Sequence, residues 1–492
     1  MLSSLTVKQR ALDLGFDLAG IAPIAVWKDL EFSRQWVEKG FNGEMRYLEN
    51  PKRFDPHLVL PSAQSVICVG QVYNTSLPYS TEVGSTGGRS QKSGVRSQNE
   101  QQTSWESENG IQNPVVGSSS PVIGNNGQRT TDKGRLGTSS YHFPVSSFQF
   151  PVSEAAAPRA WVSRYAWGQD YHEIMRAKLE QLRAALEELA PGVETGVFVD
   201  TGPVVERAFA RFSGIGWMGK NTCIINQEKG SWFFLGTILT SLELAPDLPA
   251  PDRCGSCTAC LEACPTEALV EPYVMDASRC TSYFTIEIKG AIPDQFRPKI
   301  GANVFGCDIC QDVCPWNGTA CRQLSVVSGQ SQNFSHQPSA ISYQQGPSTQ
   351  RQSPDEHCLK QAATTKVPQF YPMSLAAAQP TPKDGANRKQ PTTDDGRLTT
   401  DDGPLTTDAA SSSLFNPPLD VLALITEDDF RRIFAHSPIK RVKYRGWLRN
   451  LCVAMGNSGD ERFVPWLVQA AQHSDPIVRE HAAWALNRLR NK

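Results

Sequence analysis

The chain has 492 residues, 39% of them hydrophobic and 20% charged, with 48 Lys and Arg against 50 Asp and Glu for a formal net charge of -2. That length allows more than one hydrophobic core, and the near-neutral balance excludes a surface built throughout to attract a polyanion, so any such partner must meet a local basic patch. Of the 13 cysteines, eight lie between positions 254 and 314 and no secretory leader pattern opens the chain, so the expected compartment is the reducing cytoplasm.

Residues 1–76 mix helical and strand-like patterns: Ser4 or Thr6 can cap a helix running to about Gly15, and residues 65–70 (SVICVG) read as a core strand. From 77 to 158 the sequence turns to Ser, Gly, Gln, Asn and Thr. That composition buries too little surface to offset its ordering entropy, which predicts a disordered insertion. Residues 159–250 regain structure, with a helix over 171–189 and a strand over 195–200, and complete an α/β catalytic domain with 1–76. The longest apolar run, 231–239, is too short to cross a bilayer and reads as a buried strand. No membrane association is expected.

Residues 251–317 carry the clustered cysteines. A second low-complexity insertion is expected over 318–413, where Thr392-Thr393-Asp394-Asp395-Gly396-Arg397-Leu398 is followed by a near copy at 399–405, and Thr130-Thr131-Asp132-Lys133-Gly134-Arg135-Leu136 repeats the phrase in the first insertion. Such sharing fits repeated DNA spread into permissive loops better than a binding module. The tail, 414–492, is helical. Leu448-Arg449-Asn450 and Asn457 recur thirty residues on as Val478-Arg479-Glu480 and Asn487, with Asp475-Pro476 as cap and first-turn proline between. This is a HEAT-like pattern, too short to stand alone, so it should pack on the main body. The expected fold class is α+β or α/β, with a ferredoxin-like module and an α-helical tail.

Cys254, Cys257, Cys260 and Cys264, followed by Pro265, fit C-x2-C-x2-C-x3-C-P, the run in which the fourth cysteine serves the other cluster of a pair. Cys307, Cys310 and Cys314 with Pro315 repeat its end, and Val304 stands where a first cysteine would fall. Cys280 is the natural replacement. One [4Fe-4S] cluster is then expected on Cys254, Cys257, Cys260 and Cys314, the other on Cys264, Cys280, Cys307 and Cys310. A pair of zinc sites is the competing reading, and the spacing with its crossed fourth ligands argues against it. Cys68, Cys223, Cys321, Cys358 and Cys452 read as buried or incidental thiols. Two clusters form an electron wire, and several hundred further residues argue for an enzyme at its end.

Gly214-Ile215-Gly216-Trp217-Met218-Gly219 matches G-x-G-x-x-G, but a helix-like segment precedes it and a strand-like one follows, the reverse of a dinucleotide fingerprint. It reads as a tight turn. Asp170-Tyr171-His172 begins like the D-x-H-x-x-G cobalt-binding motif, yet Met175 stands at the glycine position. His172 therefore reads as a helix-surface histidine. Lys440, Arg441, Lys443, Arg445 and Arg449 put five positive charges in ten residues with Tyr444 and Trp447 among them, a pattern that suits phosphates and an unpaired base as well as a solvated helix face.

The segments 199–207 (VDTGPVVER), 214–221 (GIGWMGKN), 230–236 (GSWFFLG), the cysteine run, 280–287 (CTSYFTIE), 310–317 (CQDVCPWN), 437–441 (SPIKR) and 448–450 (LRN) together resemble the epoxyqueuosine reductase family. The resemblance implies reduction of epoxyqueuosine to queuosine in the anticodon loop of tRNA, by a base-off cobalamin reduced through the two clusters by an external low-potential donor. It implies a monomeric enzyme with Asp200 as proton donor, a role that requires burial to raise its pKa; the plainer reading is that Asp200 caps a helix beginning near Pro203. It further implies corrin contacts at Arg53, Ser163, Gly219, Ile224, Leu235 and Ser282, and tRNA contacts at Glu287, Ile288, Lys289, Lys440, Arg441, Arg445, Arg449 and Asn450. A cobalamin-dependent reductive dehalogenase, which should lack the basic tail and tRNA affinity, and a ferredoxin-type electron carrier, which should not bind cobalamin, are the alternatives.

Overall fold

A computed structural model of the chain describes residues 2–25, 27–83, 148–151, 156–318, 363–375 and 413–491. Ser3, rather than Ser4 or Thr6, caps the first helix: its hydroxyl accepts from Thr6 N, and the helix runs Ser4–Asp13. Val7 and Ala11 on its inner face are fully buried. They pack on a four-stranded sheet in the order Leu18–Pro23, Ser65–Val72, Phe233–Thr240, Thr195–Phe198, with every neighbour antiparallel. The main sheet therefore has no parallel crossover, and the architecture is mixed α+β.

The two central strands are covered on both faces, which is why they read as near-continuous apolar runs. Alternate residues serve opposite cores. Ile67, Val69 and Ile238 face the helices Ser4–Asp13 and Tyr171–Leu189, whereas Val66, Cys68 and Leu239 face the helix Glu206–Phe212 and Leu30 of the helix Trp27–Glu38. The helix Tyr171–Leu189 begins where expected because Asp170 accepts from His172 N as its cap, and it buries Met175, Leu179, Leu182 and Leu186 along one stripe. The glycine-rich segment is a tight hairpin, with Trp217–Met218 paired to Ile224–Ile225. A β-carbon on Gly216 would meet Ile225 O at 2.3 Å. Close backbone approach, not a phosphate, accounts for that glycine.

The cysteine-bearing segment is pinned from two sides. Its strand Asn303–Phe305 runs parallel to Trp161–Val162, and buried Asp308 accepts from Trp161 Nε1 (2.9 Å), Ser163 Oγ (2.6 Å) and Arg164 N (2.7 Å). On the other side lies the tail, with helices Lys443–Ser458, Val464–Ala470 and Pro476–Arg490, the last capped by Asp475. Asn457 donates to Arg297 O and Gly301 O, and His481 Nε2 accepts from Ile292 N. The tail is thus stitched to the main body.

Parts of the expected insertions belong to the core, which corrects the boundaries 77–158 and 318–413. Leu77 O and Pro78 O accept from buried Arg164, and Tyr79 donates to Asn317 O. Residues 363–375 cross between cores: Phe370 joins the sheet core, and Leu375 joins the tail core beside Leu414. Backbone bonds Gln169 N to Gln369 O and Met373 N to Trp167 O hold this strap down. The shared heptads at 130–136, 392–398 and 399–405 lie outside the described residues. Among the described residues, no helix is long and apolar enough to cross a membrane.

Candidate active site

A cavity of about 670 Å³ opens between the sheet domain and the cysteine module. Phe32, Trp36, Met45 and Met218 give it apolar walls; Arg53, Asp200, Glu206, Cys280, Ser282 and Glu287 supply polar groups. Asp200 does not cap a helix: the following helix starts at Glu206 with Val205 at its N-cap. It sits instead just past the strand Thr195–Phe198 with φ 52°, a left-handed conformation that costs a non-glycine residue on the order of 1 kcal/mol.

Its carboxylate is engaged on several sides. Tyr171 Oη donates to Oδ2 at 2.9 Å, His172 Nε2 stands 3.4 Å from Oδ2, and Asp200 N donates to Glu206 Oε2 at 2.9 Å. Desolvation raises the Asp200 pKa, but hydrogen bonds from His172 and Tyr171 and the charges of His172 and Arg441 outweigh it and lower the value to about 2. The expectation of an acid raised by burial is corrected: the carboxyl is ionised, and the protons lie on its neighbours. Desolvation lowers His172, yet Asp170 (2.7 Å from Nδ1) and Asp200 pull it up to about 9. Burial, then the adjacent Asp200 charge, raises Glu206 to about 8. Its Oε1 is buried without a partner, a place for that proton.

Burial and neighbouring thiols raise the pKa values of several of the clustered cysteines. Cys260 is raised to about 11 by burial and by Cys257 and Cys254, and Cys314 to about 12 by burial and, among thiols, by Cys254, Cys260 and Cys223. Cys280 feels Cys264, Cys307 feels Cys280 and Cys264, and Cys310 feels Cys307 and Cys280. Among the described residues no three His, Cys, Asp or Glu side chains form a closed metal-holding group. Thiols whose pKa values are pushed up by burial must shed protons to bind iron, so loading couples to proton release. Cys257 is exposed, whereas Cys280 lines the cavity. Cys280 therefore shares the cavity with Asp200.

Of the six corrin candidates, Arg53 and Ser282 line the cavity. Gly219 follows the lining residue Met218 in sequence and Ile224 pairs with Met218 across the hairpin, but Ile224 is buried in the sheet core. Ser163 is bonded to Asp308, and Leu235 pairs with Gly70 inside the sheet. The tRNA candidates divide in the same way. Arg449 and Asn450 are each 1% exposed: Arg449 donates to Phe284 O, Ile288 O and Gly290 O, and Asn450 to Thr285 O and Val304 O. They are corrected from phosphate contacts to structural clamps. Ile288 packs against an apolar cluster. Lys440 pairs with Asp170 (2.8 Å), Arg441 with Glu287 (2.8 Å), and Arg445 donates to Lys289 O. Lys440, Arg441, Arg445 and Lys289 remain exposed.

Comparison with known proteins gives three family-model matches: a 4Fe-4S double cluster binding domain over residues 253–317, epoxyqueuosine reductase QueG, DUF1730, over 140–201, and HEAT repeats over 448–492. An epoxyqueuosine reductase of Pseudomonas aeruginosa is 30% identical over 488 residues, covering 98% of this chain and 93% of the relative. One of Salmonella typhimurium is 28% identical over 482 residues, covering 98% and 86%. A crystal structure of epoxyqueuosine reductase with an epoxyqueuosine-modified tRNA-Tyr stem loop shares the fold, with TM-score 0.62, 24% identity, and coverage of 99% and 90%.

Proposed function

The chain belongs to the epoxyqueuosine reductase family, an oxidoreductase family acting on tRNA, and from that membership we propose that it reduces epoxyqueuosine in the anticodon loop to queuosine through the cavity described above. The net change takes two electrons and two protons, breaks both carbon–oxygen bonds of the epoxide and releases the oxygen as water. The observation that carries this reading is a juxtaposition: one cavity is lined by Cys280, Asp200, Glu206 and Glu287, so a cluster ligand, an acid site and the face toward the basic segment meet in one place. Dehalogenase and free electron-carrier readings lose their footing with the family established.

The chain binds 4Fe-4S chemistry in residues 253–317, and two clusters on the quartets above deliver electrons singly from an external low-potential donor. Cys257, exposed, marks the entry side, and Cys280 the exit into the cavity. Base-off cobalamin supplies the carbon–oxygen bond-breaking chemistry when bound. Arg53, Met218, Thr222 and Ser282, which line the cavity, would hold it.

The protons come from the groups around Asp200. His172 and Glu206 both carry a proton at neutral pH, and the chemistry consumes two. Asp200, between them, takes a proton from His172, whose Nε2 at 3.4 Å needs only a small approach to make a full hydrogen bond, and passes it to the departing oxygen. Arg441, paired to Glu287 and donating to Tyr47 Oη at the cavity mouth, is placed to meet the loop.

Anaerobic purification with iron and sulfide analysis, cobalamin titration followed by absorption and EPR, and nucleoside analysis of tRNA after turnover test the reading together. About eight irons per chain, by the two-cluster ligand count, a stoichiometric cobalt signal and conversion to queuosine are expected. A colourless, zinc-loaded protein would overturn it.

A further inference from the structure

The hairpin that pairs Trp217–Met218 with Ile224–Ile225 ends in the tip Gly219-Lys220-Asn221-Thr222, and consecutive residues of that tip serve three different places. Its shape is fixed: Gly219 N donates to Cys223 O (2.8 Å), Thr222 N donates to Gly219 O (2.8 Å), and Thr222 takes φ 64°. Thr222 lines the cavity, and Asn221 Nδ2 donates to Cys310 O (3.1 Å). Lys220 reaches the start of the cysteine run, where its ammonium donates to Gly255 O (2.7 Å) and Cys257 O (2.9 Å). Its own carbonyl accepts from Tyr273 N (3.1 Å), Tyr273 Oη donates to Asp252 Oδ2, and Asp252 Oδ1 accepts from Cys254 N (2.8 Å). Half-buried Lys220 thus closes a chain of bonds around the exposed loop 252–257. That loop has little packing of its own: a β-carbon on Gly255 would meet nothing within 4 Å.

We propose that Lys220 is a positioning residue for electron entry: it fixes the loop that presents Cys254 and Cys257, and its positive charge raises the reduction potential of the cluster on Cys254, Cys257, Cys260 and Cys314, a role that rests on the cluster assignment above. An ammonium bonded to the carbonyl of a ligand residue stands within one residue of that ligand's sulfur. Reduction adds one negative charge to a cluster already surrounded by thiolates, and the attraction of a nearby cation favours that form; local charge and solvent exposure are among the levers that set cluster potential. Solvent screens a half-buried charge in part, so the shift is smaller than a buried cation would give. The segment that carries Cys310 receives only the neutral amide of Asn221. Lys220 therefore acts on the cluster that meets the external donor: one electron arrives there, no bond is made or broken in that step, and the cation makes its capture more favourable.

The test is an EPR-monitored potentiometric titration of the anaerobic, iron-loaded full chain, comparing wild type, Lys220→Met, Lys220→Gln and Lys220→Arg, with iron and sulfide counted in each. Glutamine keeps an N–H donor without the charge, and arginine keeps both. The expected result is that the methionine and glutamine variants hold wild-type iron and move one midpoint to more negative potential, the other unmoved, while arginine stays near wild type. Cys257→Ala, which removes a ligand of the first cluster, identifies the signal that should move. If methionine unsettles the loop and loses iron, glutamine carries the reading. Unmoved midpoints in the glutamine variant overturn the proposal, as does a shift confined to the other cluster, an equal shift of both, or an arginine variant displaced as far as glutamine. Loss of iron from glutamine and methionine alike reduces Lys220 to a scaffold residue and overturns it too. An iron-free wild type sinks the cluster assignment itself, so the two failures are distinct.

Discussion

Asp200 shows how one residue can be named from its chain context and still be misjudged in its chemistry. Its carboxyl is held ionised by hydrogen bonds from His172 and Tyr171, so it serves as the point of delivery and its neighbours as the store. Asp200→Asn should retain iron and cavity but lower kcat by about 10²- to 10⁴-fold, the range for loss of a general acid; single-turnover conversion of epoxyqueuosine-tRNA reads it, and full activity would remove Asp200 from the chemistry. The pH profile carries the rest. Glu206 loses its proton near 8 and His172 near 9, so turnover should fall on an alkaline limb through that window. Glu206→Gln should leave only the step near 9. Because the His172 pKa is raised on folding, its contribution to stability is complete below the ordinary histidine value and is lost as pH climbs through about 9. None of this was legible in the sequence. Position 172 follows a helix cap, and nothing local says that the end of the strand Thr195–Phe198 comes to lie beside it; Tyr171 and Glu206 were hidden for the same reason.

At the scale of elements, the basic run illustrates a charge pattern whose members do different work. The segment Tyr283–Glu287 is a single π-turn beside Cys280 and Ser282. A π-turn misaligns carbonyls that an α-helix would satisfy. Arg449 and Asn450, on the helix Lys443–Ser458, reach across and accept that role for Phe284 O and Thr285 O. Arg449→Ala should therefore destabilise by roughly 2–4 kcal/mol, seen as a lower Tm, because several buried carbonyls lose a charged donor. It should leave the salt slope of tRNA binding unchanged. Lys443→Ala should flatten that slope by about one unit, since Lys443 is exposed and forms no ion pair among the described residues. The helix Tyr171–Leu189, the central strands and the 4Fe-4S domain were readable because periodicity and spacing are local properties. Which arginine turns inward is decided by the partner segment, 160 residues away in the chain, and no window contains both.

Across the whole molecule, the strap at 363–375 ties the two cores and shows why a compositional boundary misled. Averaged over residues 318–413 the segment is polar, but Val367-Pro368-Gln369-Phe370-Tyr371-Pro372-Met373 is not, and a seven-residue anchor disappears in so long a mean. Phe370 packs edge-on against Phe234 (5.0 Å), Phe234 stacks on Tyr171 (4.2 Å, 4°), and Tyr171 donates to Asp200. A strap residue is thus three contacts from the acid. Leu375, on the same strap, enters the tail core instead. Phe370→Ala should cost about 3–5 kcal/mol and Leu375→Ala about 2–5 kcal/mol, by lost burial and the cavity left behind, so both should lower Tm by several degrees. They should part on catalysis. Loosening Phe234 frees Tyr171, so Phe370→Ala should reduce kcat several-fold at temperatures where the protein is still folded, with KM for tRNA little changed, while Leu375→Ala should leave kcat intact. Equal kcat in the two variants would mean that the strap holds the cores together but does not tune the site.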